Sequence, residues 1–358
     1  MMTKPNPPSR YTKTSLPTKA GAHGVIEIWH DKMLDRNVAI KWLNSSEGEE
    51  QLLNEWQILA TAMSRHVVEI YELIFDHHGT LFGVILEHID GQRLDEIFGE
   101  NSKLDQIESI KALYQLASGL SDLHSVPIIH RDVKPENAVI GSNGRLKIVD
   151  FGLSTAAYSI QTARARSTFG YSAPEYYTKP ATVSLKSDVY AFGICCWKLF
   201  TGTIPTVGKY NLPDASYFPL PSISTVARLP ERIVSTVDAC LQWQPEKRPG
   251  MKTIASVFCA ELTKGRHEAF ISLPESVTEI NASNRRKTIK SSLGSLQISY
   301  DDYSFKIEQV EGEVFINNIT ATIGASLSEG CLIMFGNPSR GRDRGFAPFR
   351  KFTPEVVI

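Results

Sequence analysis

The densest run of reactive side chains is His130-Arg131-Asp132-Val133-Lys134-Pro135-Glu136-Asn137. Within eight positions it holds a carboxylate able to accept a hydroxyl proton, an amide oxygen suited to a hard cation, and two positive charges. A further carboxylate follows in Asp150-Phe151-Gly152, after the strand-like run RLKIV. Upstream, Val38-Ala39-Ile40-Lys41 ends in a lysine, and Glu55 sits in the helical pattern LLNEWQIL, one turn before Leu59. Each has a bland reading by itself: a solvated polar loop, a lysine at a strand edge, an acid on a solvated helix face. Together they suit a reaction driven by positioning and charge neutralisation around an anionic group.

Those residues need elements to hold them. Between about 11 and 90, β-type runs dominate (VIEIW, NVAIKWL, VVEIYELIF, LFGVILEHI), broken once by a helical pattern from Glu49 to Met63. From about 105 to 265 the signal is mostly helical. Ile110, Leu113, Ala117 and Leu120 recur at helical spacing and give one apolar face to a helix ending near His124. A small strand-rich lobe followed by a larger helical one predicts a cleft between them, where ligands bind. From about 270, LQISY, SFKIEQV, EVFINN, CLIMFG and PEVVI are strand candidates separated by Gly, Asp, Asn and Pro turns. The expected α+β chain therefore has a disordered tail at 1–10, a bilobal domain at 11–265 (lobes about 11–88 and 89–265), and a small all-β domain at 266–358.

Composition removes some functions. Hydrophobic residues make up 42% and charged residues 22% of 358, with a net charge of −1, so no basic surplus points to nucleic acid. RRK at 285–287 and RGRDR at 340–344 read as solvated charge. The longest apolar stretch, Val189 to Phe200, is too short to span a bilayer and contains Lys198, so no membrane partner is expected. Five cysteines, with no C-x-x-C pair, fit a reducing compartment, and the polar N-terminus lacks a secretory pattern. A cytoplasmic protein is expected.

With HRDxKPEN and DFG in order, the chain resembles the protein kinase superfamily over roughly 11–265. Five matching positions (His130, Arg131, Asp132, Lys134, Asn137) would coincide by chance about once in ten thousand such chains at near-uniform residue usage. The resemblance implies a bilobal fold and transfer of the γ-phosphate of MgATP, with Mn2+ as an alternative occupant. It makes Asp132 the group that orients the attacking hydroxyl and accepts its proton, and Asn137 and Asp150 the metal ligands. Lys134 would neutralise the transferring phosphoryl, and Lys-Pro-Glu-Asn resembles serine/threonine rather than tyrosine kinases. Lys41 would hold the α- and β-phosphates, paired with Glu55. Gly21 and Gly24 match the second and third glycines of the phosphate-covering loop, while Lys19 replaces the first. Ile26, Ala39 and Val139 would sandwich adenine. Glu87-His88-Ile89 would connect the lobes and bind adenine through backbone at Glu87 and Ile89, with Leu86 guarding the deeper pocket.

Ser167-Thr168-Phe169-Gly170-Tyr171-Ser172-Ala173-Pro174-Glu175 resembles the element that ends the kinase activation segment. Thr168 is then expected to bond near Asp132 and Lys134, Glu175 to pair with Arg248, and Asp188 to brace the catalytic loop. Phosphate on Thr162, received by Arg131, is expected to order the segment by autophosphorylation. GEVFINN, LSEGCLIMFG and RGFAPF loosely resemble the second half of a forkhead-associated domain, with Gly312, Asn317, Gly330 and Gly336 in turns. Such a domain would bind phosphothreonine peptides; only Arg285 and Arg286 stand in for its phosphate-holding elements, so a purely structural β domain is the open alternative. Two rival functions remain, a pseudokinase scaffold and a small-molecule phosphotransferase. The complete catalytic set speaks against the first, and the KPEN lysine and APE element speak for peptide substrates against the second.

Overall fold

The computed structural model describes residues 6–21, 24–42, 49–98, 105–162, 168–205 and 220–356, the side chains of 19–21, 24, 49–52, 54 and 55 excepted. The first strands are β1 (Tyr11–Lys13), β2 (Lys19–Gly21), β3 (Gly24–Asp31) and β4 (Arg36–Trp42). Helix α1 (Glu49–Thr61), β5 (Ile70–Phe75) and β6 (Leu81–Glu87) follow. They form an antiparallel sheet ordered β1-β3-β4-β6-β5, with β2 paired to β3. The strand period of two sorts β4. Val38, Ile40 and Trp42 face a core shared with Tyr11, Ile74 and Ile85. Ala39 and Lys41 therefore lie on the opposite face, with Ile26 directly across from Lys41 in the β3–β4 ladder. Ordered packing begins before residue 11: Pro7 is buried, and Arg10 Nη2 lies 2.8 Å from Glu72 Oε2.

Next come β7 (Gly91–Arg93), α2 (Leu94–Ile97), α3 (Gln106–Ser125), β8 (Ile128–Ile129), β9 (Ala138–Gly141), β10 (Leu146–Ile148), β11 (Thr155–Ala156), β12 (Ser159–Thr162) and β13 (Ala181–Ser184). The Asp105 side chain caps α3 by accepting from the backbone N–H of Ile107, and Ile110, Leu113, Ala117 and Leu120 are buried as their spacing predicts. Helix α4 (Leu185–Thr201) starts at the Ser184 cap and stops at Gly202, φ +79°. It is buried on nearly every side from Ser187 to Leu199, as befits a central helix. Helices α5 (Glu231–Cys240) and α6 (Met251–Leu262) complete the helical part. No helix among the described residues is long and apolar enough to cross a membrane.

The chain divides into two compact units, the first ending at Phe258 and the second covering Cys259–Val357. The second holds β14 (Glu268–Leu273), β15 (Ser276–Ile280), β16 (Arg286–Ser291), β17 (Gly294–Tyr300), β18 (Phe305–Gly312), β19 (Val314–Ile316), β20 (Ile319–Thr320), β21 (Leu332–Phe335) and β22 (Gly345–Phe352). Two antiparallel sheets, β15-β14-β22-β21-β19-β20 and β16-β17-β18, enclose one core that includes Ile271, Leu296, Phe305, Ile333 and Phe349. Gly312, Asn317, Gly330 and Gly336 all take positive φ. At Gly312 a side chain is also excluded sterically, because a Cβ would lie 2.6 Å from the Leu293 carbonyl.

The expected last strand is corrected. Residues 354–356 of PEVVI are not in a strand, and the closing strand is β22. Its Pro348 hides it from a sequence reading, since proline interrupts a ladder. The structure accommodates Pro348 at a handover: residues 345–348 pair with β21 and 349–352 with β14.

Candidate active site

Asp132 is held by three side chains at once. Its Oδ1 accepts from Thr168 Oγ1 at 2.7 Å. Its Oδ2 accepts from Asn137 Nδ2 at 2.9 Å and lies 2.7 Å from Lys134 Nζ. Lys134 Nζ also donates to Thr168 Oγ1 at 2.8 Å, closing a ring of carboxylate, hydroxyl and ammonium. The carboxylate is thereby fixed in orientation, which a positioning group requires.

The loop carrying it is pinned from beneath. Asp188, near the start of α4 and buried, accepts the backbone N–H groups of His130 and Arg131, each at 2.8 Å, and lies 3.0 Å from His124 Nε2. These bonds hold Arg131 at φ +70°, a conformation that costs a non-glycine residue about 1–3 kcal/mol. His130 is fully buried, with its ring edge-on to Phe151. Its Nδ1 accepts from the Asp132 N–H at 3.3 Å, which requires the neutral ring. Burial accordingly pulls its pKa below the ordinary value. Glu175 and Arg248 form a bidentate pair at 2.8 Å for both contacts, and Ser187 Oγ donates to Glu175 Oε1 at 2.8 Å.

Asp150, φ +64°, ends the stretch after β10, and the Val149 N–H donates to the Asn137 carbonyl at 2.9 Å. The Asp150 carboxylate meets Lys41 Nζ at 3.5 Å, with the lysine 9% and the aspartate 42% exposed. Oxygen donors thus stand on both sides of that backbone bond. Asn137 spends its amide nitrogen on Asp132, twice, leaving its oxygen for a ligand. One carboxylate and one amide oxygen, with no group of three His, Cys, Asp or Glu among the described residues, fit a magnesium-type ion that draws its other ligands from phosphates and water.

Ile26 and Ala39 are half-buried on the same sheet face as Lys41, and half-buried Val139 lies on β9. Glu87 ends β6 and is followed by His88 and Ile89, both half-buried; Leu86 is 9% exposed. Gly21 and Gly24 are paired in the β2–β3 hairpin, whose tip at 22–23 lies outside the described residues. The backbone of Glu55 lies in α1; its side chain lies outside the described residues, as does that of Lys19. Arg131 Nη1 donates to Thr155 Oγ1 at 3.2 Å. Thr162 sits half-buried on β12, opposite Ala181 of β13.

Several contributors escape a sequence reading. Ser187 has a signal, the Ser-x-x-Ser spacing of a capping box with Ser184. Thr155 has none. Lys147 reads as solvent-facing because it alternates with Leu146 and Ile148, yet it is only 6% exposed.

A family model for the protein kinase domain matches residues 20–258. The chain is similar to serine/threonine-protein kinase PrkC of Bacillus subtilis, 32% identical over 199 residues that make up 53% of this chain and 30% of the relative. It is also similar to serine/threonine-protein kinase PknA of Corynebacterium glutamicum, 31% identical over 54% of this chain and 44% of the relative. A plant relative, serine/threonine protein kinase OSK3 of Oryza sativa, is 29% identical over 58% of this chain and 43% of its own length. The matches span less than half the length of each of these relatives.

Proposed function

The chain belongs to the protein kinase family, and on that premise we propose that it transfers the γ-phosphate of MgATP to serine and threonine hydroxyls of proteins. The observation that carries this reading is the closed ring of Asp132, Lys134 and Thr168, with Asn137 bonded to Asp132 from beside it. A substrate hydroxyl placed at Asp132 is oriented by the carboxylate and gives it its proton as oxygen attacks the γ-phosphorus. The bond to the bridging β-oxygen breaks in line and ADP leaves. Lys134 neutralises charge building on the transferring group. Lys41, carried on a rigid strand, meets the other phosphates, and Ile26, Ala39 and Val139 flank the purine. A bound magnesium ion, held through Asn137 and Asp150, would supply further neutralisation of phosphate charge.

Incubation of the whole chain with labelled MgATP and a generic acceptor protein tests the reading. Label on serine and threonine is expected from the native chain, with loss of about three orders of magnitude in Asp132→Ala and strong loss in Lys41→Ala. Equal label in all three proteins, or none in any, overturns it. The presence of every catalytic group favours an enzyme over a pseudokinase scaffold.

We propose further that the activation segment is autophosphorylated at Thr162 and that Arg131 receives the phosphate. A Thr162→Ala chain with the full activity of the native protein overturns that switch. The five free thiols fit a reducing, cytoplasmic setting. For the C-terminal unit, a structural role is the better reading than phosphothreonine capture. Arg285 already pairs with Asp302 at 2.6 Å and Arg286 with Glu308 at 2.8 Å. Measurable binding of a phosphothreonine peptide to the whole chain would reverse this.

A further inference from the structure

A partly buried ion pair, with no part in the ring around Asp132, joins Glu87 to Lys147. Lys147 Nζ lies 2.8 Å from Glu87 Oε2, the two side chains being 8% and 23% exposed. The same ammonium donates to the Val67 carbonyl at 3.1 Å. Glu87 Oε2 also accepts from the Glu69 N–H at 3.1 Å, and the Glu87 N–H donates to the Glu69 carbonyl at 2.8 Å. Three segments meet there: the end of β6, the stretch 66–69 ahead of β5, and β10. Backbone bonds run alongside, from Val68 N–H to the Ile148 carbonyl at 3.0 Å and from Ile148 N–H to the His66 carbonyl at 2.8 Å.

The two ends of this arrangement face different parts of one ligand. Glu87 begins the connection 87–89 whose backbone would meet the purine. Strand β10 runs directly on to Asp150, which lies beside Lys41 at the phosphate end. Lys41 is also tied to β6, since Val38 pairs with Glu87 and Lys41 with Val84 across the β4–β6 ladder. A buried charge pair is a poor source of net stability, because desolvation offsets its attraction, but its geometry is directional. An apolar contact at the same place would pack as well and fix the spacing less.

We infer that Glu87 and Lys147 are positioning residues for the nucleotide, setting the distance between the purine-facing backbone at 87–89 and the phosphate-facing pair Lys41–Asp150. The inference rests on the kinase reading above. Its consequence is selective: losing the pair weakens ATP binding and spares the groups around Asp132 that act on the phosphoacceptor.

The test measures KM for ATP, kcat and displacement of a fluorescent ATP analogue for the whole chain. The variants are Glu87→Gln, Lys147→Met and the charge swap Glu87→Lys with Lys147→Glu. Expected are a rise of about ten-fold in KM and in the ATP concentration that displaces the analogue, with kcat within about two-fold, in both single variants. The charge swap is expected to recover part of the loss. Unchanged KM in folded single variants overturns the inference, as does a fall in KM or a parallel loss of kcat and thermal stability. Should Lys147→Met fail to fold, the near-isosteric Glu87→Gln decides alone. If the native chain itself transfers no phosphate, the kinase reading has failed, and analogue displacement still decides whether the pair positions a nucleotide.

Discussion

The catalytic loop and the β16 edge of the C-terminal unit both concentrate arginines and acids, but they treat them differently. In the catalytic loop Asp132 and Lys134 each have two or more partners and little exposure, 11% and 19%. Beneath it, Arg248 side-chain nitrogens bond Glu175 twice and the carbonyls of Lys186, Gln242 and Trp243 as well. On β16 and just before it, Arg286 is 68% and Arg285 49% exposed, and each meets an acid at hydrogen-bonding distance, Glu308 and Asp302 respectively. Charge count is equal to the task in both places; only the first is desolvated and cross-braced. Water screens the second pair, and long side chains lose entropy when held there.

That contrast can be broken at several points. The largest effect is expected at Glu175 and Arg248. Removing one partner leaves the other buried and charged, so Glu175→Gln or Arg248→Met should destabilise the first unit by about 3–5 kcal/mol in urea unfolding. A smaller change would mean that water reaches the pair. Next, Thr168→Val removes a donor to Asp132 and an acceptor from Lys134 while keeping size. A loss of about ten-fold in kcat is expected, with Thr168→Ser close to native, read by phosphate transfer at saturating ATP.

Two buried histidines of the first unit, His66 and His130, give a pH test of desolvation. Burial lowers the pKa of both His66 and His130. The unfolded chain takes up protons near 6.5 and the folded one only at lower pH. The stability they contribute is therefore full above about 6.5 and is lost as pH falls from there toward their folded values. Urea midpoints at successive pH values should drop across that window, and His66→Gln should flatten part of the slope. A midpoint constant from pH 7.5 to 5 would contradict it. The smallest effect belongs to the exposed arginines. Arg285→Gln and Arg286→Gln should leave the Tm unchanged at both low and high salt, and a clear drop would assign them a structural duty the exposure does not suggest.

Much of the site was legible because kinase-like chemistry places its groups in contiguous runs. HRDxKPEN contributes Asp132 and two of the three side chains that hold it from one loop, and Thr168 lies beside a recognisable APE element. The strand runs and the α3 periodicity were also readable, since burial of one face imposes the period directly. Lys147 was not, because alternation says which face a side chain takes and cannot say that another segment covers that face. Thr155 was not, because its contact to Arg131 depends on a two-residue ladder between β8 and β11. β22 was obscured by Pro348, whose tolerance depends on which neighbour each half of the strand pairs with.

The sequence alone determined which groups are available for the proposed phosphoryl transfer, the strand-rich then helical order of the first unit, and the change in character after about residue 265. Only the tertiary structure decided that Asp132 is bonded on both oxygens, that Arg285 and Arg286 are engaged by acids, and that Glu87 meets Lys147. The physical reason is that residue type and spacing set local conformation and chemical capacity. The worth of a charge depends on desolvation and on partners brought in from distant parts of the chain.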